Sequence, residues 1–146
     1  MNLFVLDASV AVSWFFEDEG GEYAATVLDS LTKWHAIVPS LWALEVANVL
    51  LTAERRKRCS EAEAVRFLEL LESLPIVTDE DTPGHALHGA YQLAREYGLS
   101  AYDAAYLELA MRLGAPLATL DKQLAEAATK AGVIIFTSKG IATPSS

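Results

Sequence analysis

Short apolar runs alternate with longer helical ones along the whole chain, and this alternation restricts the fold more than any other feature. Leu3 to Leu6, Ala36 to Val38, Ile76-Val77, Pro116 to Leu120 and Val133 to Phe136 read as short strands. Between them, Ser9 to Phe16, Glu22 to Leu31, Pro39 to about Arg58, Ser60 to Leu74, Thr82 to Tyr97, Ser100 to Leu113 and Lys122 to Ala131 carry helical periodicity. Gly98, Gly114 and Gly132 stand where helices should stop, and Ser60 with Glu63 forms a capping-box pattern. Strands separated by helices need crossover connections, so the sheet is parallel with helices on both faces. The expected class is α/β, a three-layer α/β/α arrangement around a central parallel sheet. At 146 residues one domain is expected, over 1–140, with a flexible tail at 141–146.

Composition excludes several classes. The chain is 52% hydrophobic and 21% charged, enough for a core and too apolar for global disorder. Cys59 is alone, which rules out an intrachain disulfide and a cysteine-built metal site and leans towards a reducing, cytoplasmic compartment. The amino-terminal MNLFVLDAS has no basic segment and meets an acid at Asp7, unlike a signal peptide. No apolar run reaches the ~18 residues of a membrane helix. The net charge of −9, from 20 acids and 11 bases, argues against nucleic-acid binding by bulk charge. It leaves open a nucleic-acid enzyme whose acids hold cations.

Four acids do not behave as surface charge. Asp7 and Asp121 each follow directly on an apolar strand, LFVL and PLATL. Carboxyl ends of parallel strands are where open α/β sheets build their sites, although Asp is also a favoured helix cap. Glu45 lies in LWALEVANVLL, a segment apolar around its circumference and therefore expected to be buried on all sides. Only Asn48, three residues on, shares its polar face. A buried carboxylate needs a metal, a cation or a raised pKa; a structural ion pair is the plain alternative. Asp103 opens a helix whose polar side is marked by Glu108 and Arg112, so Asp103 itself points inward; capping with Ser100 is its plain alternative. Carboxylates within about 4–6 Å repel by several kcal/mol, so four together require cations. All-oxygen donors suit Mg²⁺ or Mn²⁺, and carboxylate-held Mg²⁺ serves phosphoryl transfer and phosphodiester hydrolysis.

These residues carry a family resemblance. Leu6-Asp7-Ala8-Ser9, Glu45-Val46-Ala47-Asn48, Leu99-Ser100-Ala101-Tyr102-Asp103-Ala104 before Tyr106, and Ala118-Thr119-Leu120-Asp121-Lys122 occur in the order and spacing of the PIN-domain ribonucleases. The chain most closely resembles their VapC-like toxins of type II toxin–antitoxin systems, from Leu3 to about Phe136. The resemblance implies that Asp7, Glu45, Asp103 and Asp121 bind one or two Mg²⁺ or Mn²⁺ ions and carry hydrolysis of RNA. It implies supporting roles for Ser9, Thr119 and Asn48. It further implies an antitoxin partner docked in an apolar groove near Trp14 to Phe16, a homodimer and a cytoplasmic location, with no membrane association. One departure is Lys122-Gln123-Leu124 after the fourth acid, where many relatives carry another acid or Asn. A housekeeping PIN-type nuclease and a non-catalytic PIN-like interaction domain are the alternatives. A receiver-type domain lacks its paired acids here, and a dehalogenase-like phosphatase would need Asp at position 9, which is Ser.

Other features have plainer readings. Arg55-Arg56-Lys57-Arg58 ends a helix, where cations favour the dipole, or else forms an RNA-contacting rim. His85 and His88 lack a third ligand nearby, and His35 reads as structural or exposed. At least one ring of Trp14, Phe15 and Phe16 is expected in the core; they cannot all face one side of a helix, which leaves another open to an interface.

Overall fold

The computed structural model describes residues 2–16, 20–137 and 140–141. Strand β1 (Leu3–Leu6) is the centre of the sheet, since Phe4, Val5 and Leu6 are all wholly buried. It pairs in parallel with β2 (His35–Pro39) on one side and β4 (Leu117–Ala118) on the other. Strand β3 (Ile76–Asp79) extends the sheet beyond β2, giving the order β3-β2-β1-β4, all parallel. The chain therefore builds outward from β1 through β2 and β3, then returns to the opposite side of β1. The order reverses between β1 and β4, which is the switch point where such sheets open a crevice at their carboxyl edge.

Helices cover the sheet in three α/β/α layers: α1 (Ala8–Ser13), α2 (Gly21–Ser30), α3 (Trp42–Arg55), α4 (Glu61–Ser73), α5 (Thr82–His85), α6 (Tyr91–Tyr97), α7 (Ala101–Leu113) and α8 (Lys122–Lys130). The most enclosed is α7, buried from Ala104 to Ala110 and packed on both β1 and β2. Its alanines at 104, 105 and 110 let its backbone lie close to the strands. The predicted capping box of α4 is present, with reciprocal Ser60–Glu63 bonds of 2.9 and 3.1 Å.

Three expectations need correction. The helix expected over Thr82 to Tyr97 contains a π-helical segment, Ala86–Ala90, between α5 and α6. The last predicted strand hardly joins the sheet: Ile135 makes one parallel bridge to Leu117, and Phe136–Thr137 (β5) pairs antiparallel with Gly140–Ile141 (β6). Phe136 serves the core instead, stacked on Phe4 at 4.2 Å. Helix α3 is not buried on all sides. Trp42, Val46, Leu50 and Ala53 face inward at helical spacing, but Leu44 is 76% exposed and Val49 and Leu51 are exposed with it. An all-apolar sequence hides which face meets the core, and here α1 and α4 pack against only part of the circumference. Of the expected tail, only Ile141 is described; 142–146 lie outside the described residues.

The basic run is the carboxyl end of α3. Lys57 sits in the left-handed region at φ 60°, and the amides of Lys57 and Arg58 bond back to the carbonyls of Glu54 and Ala53. This is a Schellman ending with lysine where glycine is favoured. A Cβ in that region costs about 1–2 kcal/mol, partly offset by the greater unfolded-state freedom of glycine. Lys57→Gly should therefore stabilise the fold by about 0.5–1 kcal/mol, read as a higher denaturation midpoint in urea. An unchanged or lower midpoint would contradict this account of the helix end.

Candidate active site

The carboxyl ends of β1 and β4 are tied together by side chains. Asp7 follows β1 in the cap position of α1, yet its carboxylate makes no cap bond. Its Oδ2 instead accepts hydrogen bonds from Ser9 Oγ at 2.7 Å and from Thr119 Oγ1 at 2.6 Å. Those hydroxyls are fixed in turn, Ser9 accepting from the Leu120 amide and Thr119 from the Asp121 amide, both at 3.0 Å. The carboxylate is held in one orientation and is only 5% exposed. Asp121, after β4, does cap: its Oδ1 accepts from the Leu124 amide at 3.1 Å to start α8.

The other two acids arrive on helices. Glu45, half-buried in the first turns of α3, accepts at Oε1 from the Tyr106 hydroxyl at 2.5 Å. Asp103, half-exposed, lies in the first turn of α7, whose start is capped by Ser100 Oγ accepting from the Asp103 amide at 3.1 Å. Asn48, expected beside Glu45, is exposed and makes no hydrogen bond to it among the described residues. Tyr106 takes that place. It was legible as a neighbour, because three residues after Asp103 puts it on the same side of α7.

The acids sense one another. Burial pushes the Asp7 carboxyl above its ordinary range, against the Ser9 and Thr119 bonds, and the Asp121 charge adds to the rise. Burial also raises Glu45, opposed by the Tyr106 bond and reinforced by Asp7 and Asp103. Asp103 is raised by burial and by the charges of Asp121 and Asp7. Among the described residues no lysine or arginine pairs with any of the four.

Asp79 shows the opposite solution to the same problem. It ends β3 at the same edge of the sheet and is equally buried, but Arg112 Nη2 donates to its Oδ2 at 2.7 Å and Thr82 Oγ1 at 2.8 Å. Burial pushes Asp79 up, yet the Arg112 and Thr82 bonds and the guanidinium charge outweigh it, and its pKa is lowered. Arg112 Nε also holds Glu108 at 2.8 Å, and His85 Nδ1 lies 3.6 Å from the same Glu108 oxygen. The Glu108–Arg112 side of α7, expected to mark the polar face, is thus an interior ion pair. Its partner Asp79 is distant in sequence, which is why periodicity missed it. His88 is exposed and shares no partner with His85 among the described residues, and His35 is exposed at the start of β2.

A divalent cation suits the donor set of the four acids. The donors are all carboxylate oxygens, uncompensated, with Glu45 and Asp103 reaching solvent. Among the described residues no three His, Cys, Asp or Glu side chains already converge as a metal-ligating group. Mg²⁺ commonly keeps several waters and takes only one or two direct carboxylates, so the looser spacing is compatible with it.

The aromatic run is engaged within the chain. Trp14 Nε1 donates to the Ala24 carbonyl at 2.8 Å, Phe15 packs on Phe67 at 5.1 Å, and Arg58 lies 4.5 Å over the Phe16 ring. A separate apolar groove of about 500 Å³ opens between α3, α4 and β3, lined by Trp42, Val46, Leu68, Leu71 and Ile76. Trp42 Nε1 there is a buried donor without a hydrogen-bond partner among the described residues.

Comparison with known proteins agrees with the fold. The PIN domain family matches residues 4–130. Ribonuclease VapC3 of Pyrobaculum aerophilum is 36% identical over 122 residues, covering 84% of this chain and 92% of that protein. Among solved structures, VapBC2 of Rickettsia felis bound to a fragment of its promoter DNA superposes with a TM-score of 0.62 at 14% identity, over 85% of this chain and 92% of that one. VapC20 of Mycobacterium tuberculosis, described as a sarcin-ricin loop cleaving toxin, gives 0.60 at 15% identity, over 92% of this chain and 98% of that one.

The raised carboxyls fix a pH dependence. The folded state holds these protons to higher pH than the unfolded chain does, so between the two pKa values it binds more protons and loses stability as pH rises. With chelator present, stability should climb as pH falls from neutral towards the ordinary carboxylate range, about pH 4. The slope is about 1.4 kcal/mol per pH unit for each group protonated only in the folded state. Asp79 acts in reverse, but only as pH falls through its own lowered pKa, below 3.8. Asp7→Asn should be more stable than the parent at pH 7 and show a shallower slope in urea titrations. A parent whose stability falls on acidification from pH 7 to about 5 would contradict the assignment.

Proposed function

The chain belongs to the PIN-domain family, and from that membership we propose that it is a metal-dependent endoribonuclease, the toxin of a toxin–antitoxin pair. The observation that carries this is the set of four carboxylates without a cationic partner among the described residues at the β1/β4 switch point, of which Asp7, Glu45 and Asp103 are raised by burial and by charges of the set. Asp7, Glu45, Asp103 and Asp121 would hold Mg²⁺ or Mn²⁺. When bound, such an ion supplies Lewis acidity for phosphodiester hydrolysis and offsets the charge of phosphate and carboxylates. Ser9 and Thr119 keep Asp7 from turning away. Glu45 and Asp103 reach solvent, which suits either to accept a proton from the attacking water. The exposed Arg55, Arg56 and Lys57 suit contact with the RNA backbone.

The similarity to VapC3, named a ribonuclease, and to VapC20, named a cleaving toxin, supports RNA as substrate. Likeness to the VapBC2 assembly supports an antitoxin partner. Both that partner and a second copy of the chain need apolar surface, and the outer face of α3 and the adjoining groove offer it. In this reading 1–140 form one domain and 141–146 a tail. The protein works as a cytoplasmic homodimer until the antitoxin covers it. No helix among the described residues is long and apolar enough to cross a membrane.

Incubating the protein with total RNA and Mg²⁺ or Mn²⁺, then mapping the cut ends, tests the proposal. The parent should cut internally, and chelator should stop it. Asp7→Ala and Asp103→Ala should abolish cleavage while metal-free stability stays equal or rises, because each removes a repelling charge. Cleavage by both variants at the parental rate would remove the acids from the mechanism.

A further inference from the structure

The Tyr106 hydroxyl stands where three elements meet. Its ring is wholly buried on α7, its oxygen donates to Glu45 Oε1 on α3, and the backbone of Ala8, next to Asp7, approaches the same oxygen. Glu45 has no other hydrogen-bond partner among the described residues, so this is the one polar contact that fixes the orientation of its carboxylate. Glutamate has three side-chain torsions, and one left unrestrained on a half-exposed helix face would sample several orientations.

We infer that Tyr106 is a positioning residue, whose hydroxyl holds Glu45 by one oxygen and turns the other towards the remaining acids for a divalent cation. The inference rests on the acid-site reading above and adds to it a residue outside the carboxylate set. Helix α7 is suited to the role because it is rigid where Tyr106 emerges, buried from Ala104 to Ala110. It also carries Asp103 one turn earlier, so one helix supplies an acid and orients another. Partners that orient a metal-binding side chain commonly change metal affinity by about 10–100-fold when removed. Phenylalanine keeps the ring and its packing and deletes only the donor.

Calorimetric titration of the purified protein with Mn²⁺ tests this, using the parent, Tyr106→Phe, Glu45→Gln and the double variant, each checked for folding by circular dichroism. Tyr106→Phe should weaken Mn²⁺ binding about tenfold. In the Glu45→Gln background the same change should have no further effect, because a shared pathway is non-additive. A purely structural tyrosine would lower the melting temperature and leave Mn²⁺ affinity at the parental value, which would overturn the inference. If Glu45→Gln weakens binding and Tyr106→Phe does not, the inference alone fails. If Glu45→Gln also binds like the parent, the acid-site reading fails and takes the inference with it. Should Tyr106→Phe not fold, Tyr106→Met, an apolar side chain of similar reach without a donor, takes its place: a loss of Mn²⁺ affinity with Glu45 present and none in the Glu45→Gln background supports the inference, and parental affinity overturns it.

Discussion

A carboxylate at the end of a buried central strand is the constraint around which this molecule is arranged. Phe4, Val5 and Leu6 are closed off from water, and the next side chain is Asp7. Burial there disfavours its charge, and no cation among the described residues offsets it. Two hydroxyls and a sheet whose order reverses beside it hold the group in place. The reversal matters because it separates the connections leaving β1 and β4 and opens a crevice between them. Glu45 and Asp103 are then directed into the same field from α3 and α7.

The same sheet edge shows what a structural acid looks like. Asp79 ends β3 in equivalent fashion, yet Arg112 and Thr82 satisfy it and its pKa falls rather than rises. The guanidinium also binds Glu108, so its own pKa is raised, first by the Glu108 and Asp79 hydrogen bonds. Removing one member of such a buried group is costly, whereas a cluster left without a cation gains by losing a charge. Strand-end acids therefore divide by their partners, not by their position. Asp79 belongs to the scaffold, whereas the acids around Asp7 have no cationic partner among the described residues.

What could be read from the sequence follows the range of the forces involved. Strand β1 and the helices announced themselves through local periodicity, and Asp7 and Asp121 stood out because each follows an apolar run directly. Tyr106 was one helical turn from Asp103 and could have been singled out by spacing alone. Features set by distant partners were hidden. Glu108 and Arg112 read as a polar side of α7 because Arg112's other partner, Asp79, lies far away in sequence, and the open face of α3 looked like core because apolar residues signal burial without naming what buries them. The π-helical segment at Ala86–Ala90 had no local signature. Gly89 within it lies where a Cβ would come within 3.2 Å of Glu108 Cγ, a tight tertiary contact that local pattern does not contain.

The central claim is that these four carboxylates are a cation site. Its most direct test is the melting temperature with and without Mn²⁺, for the parent and for a variant with Asp7, Asp103 and Asp121 all changed to Asn. A ligand bound only by the folded state stabilises it by about 2.7 kcal/mol at a hundredfold excess over Kd. The account predicts a clear rise for the parent and none for the variant, which should start from an equal or higher melting temperature without metal. An equal Mn²⁺-dependent rise in both proteins would mean that the ion binds elsewhere on this acidic surface, and the claim would be wrong.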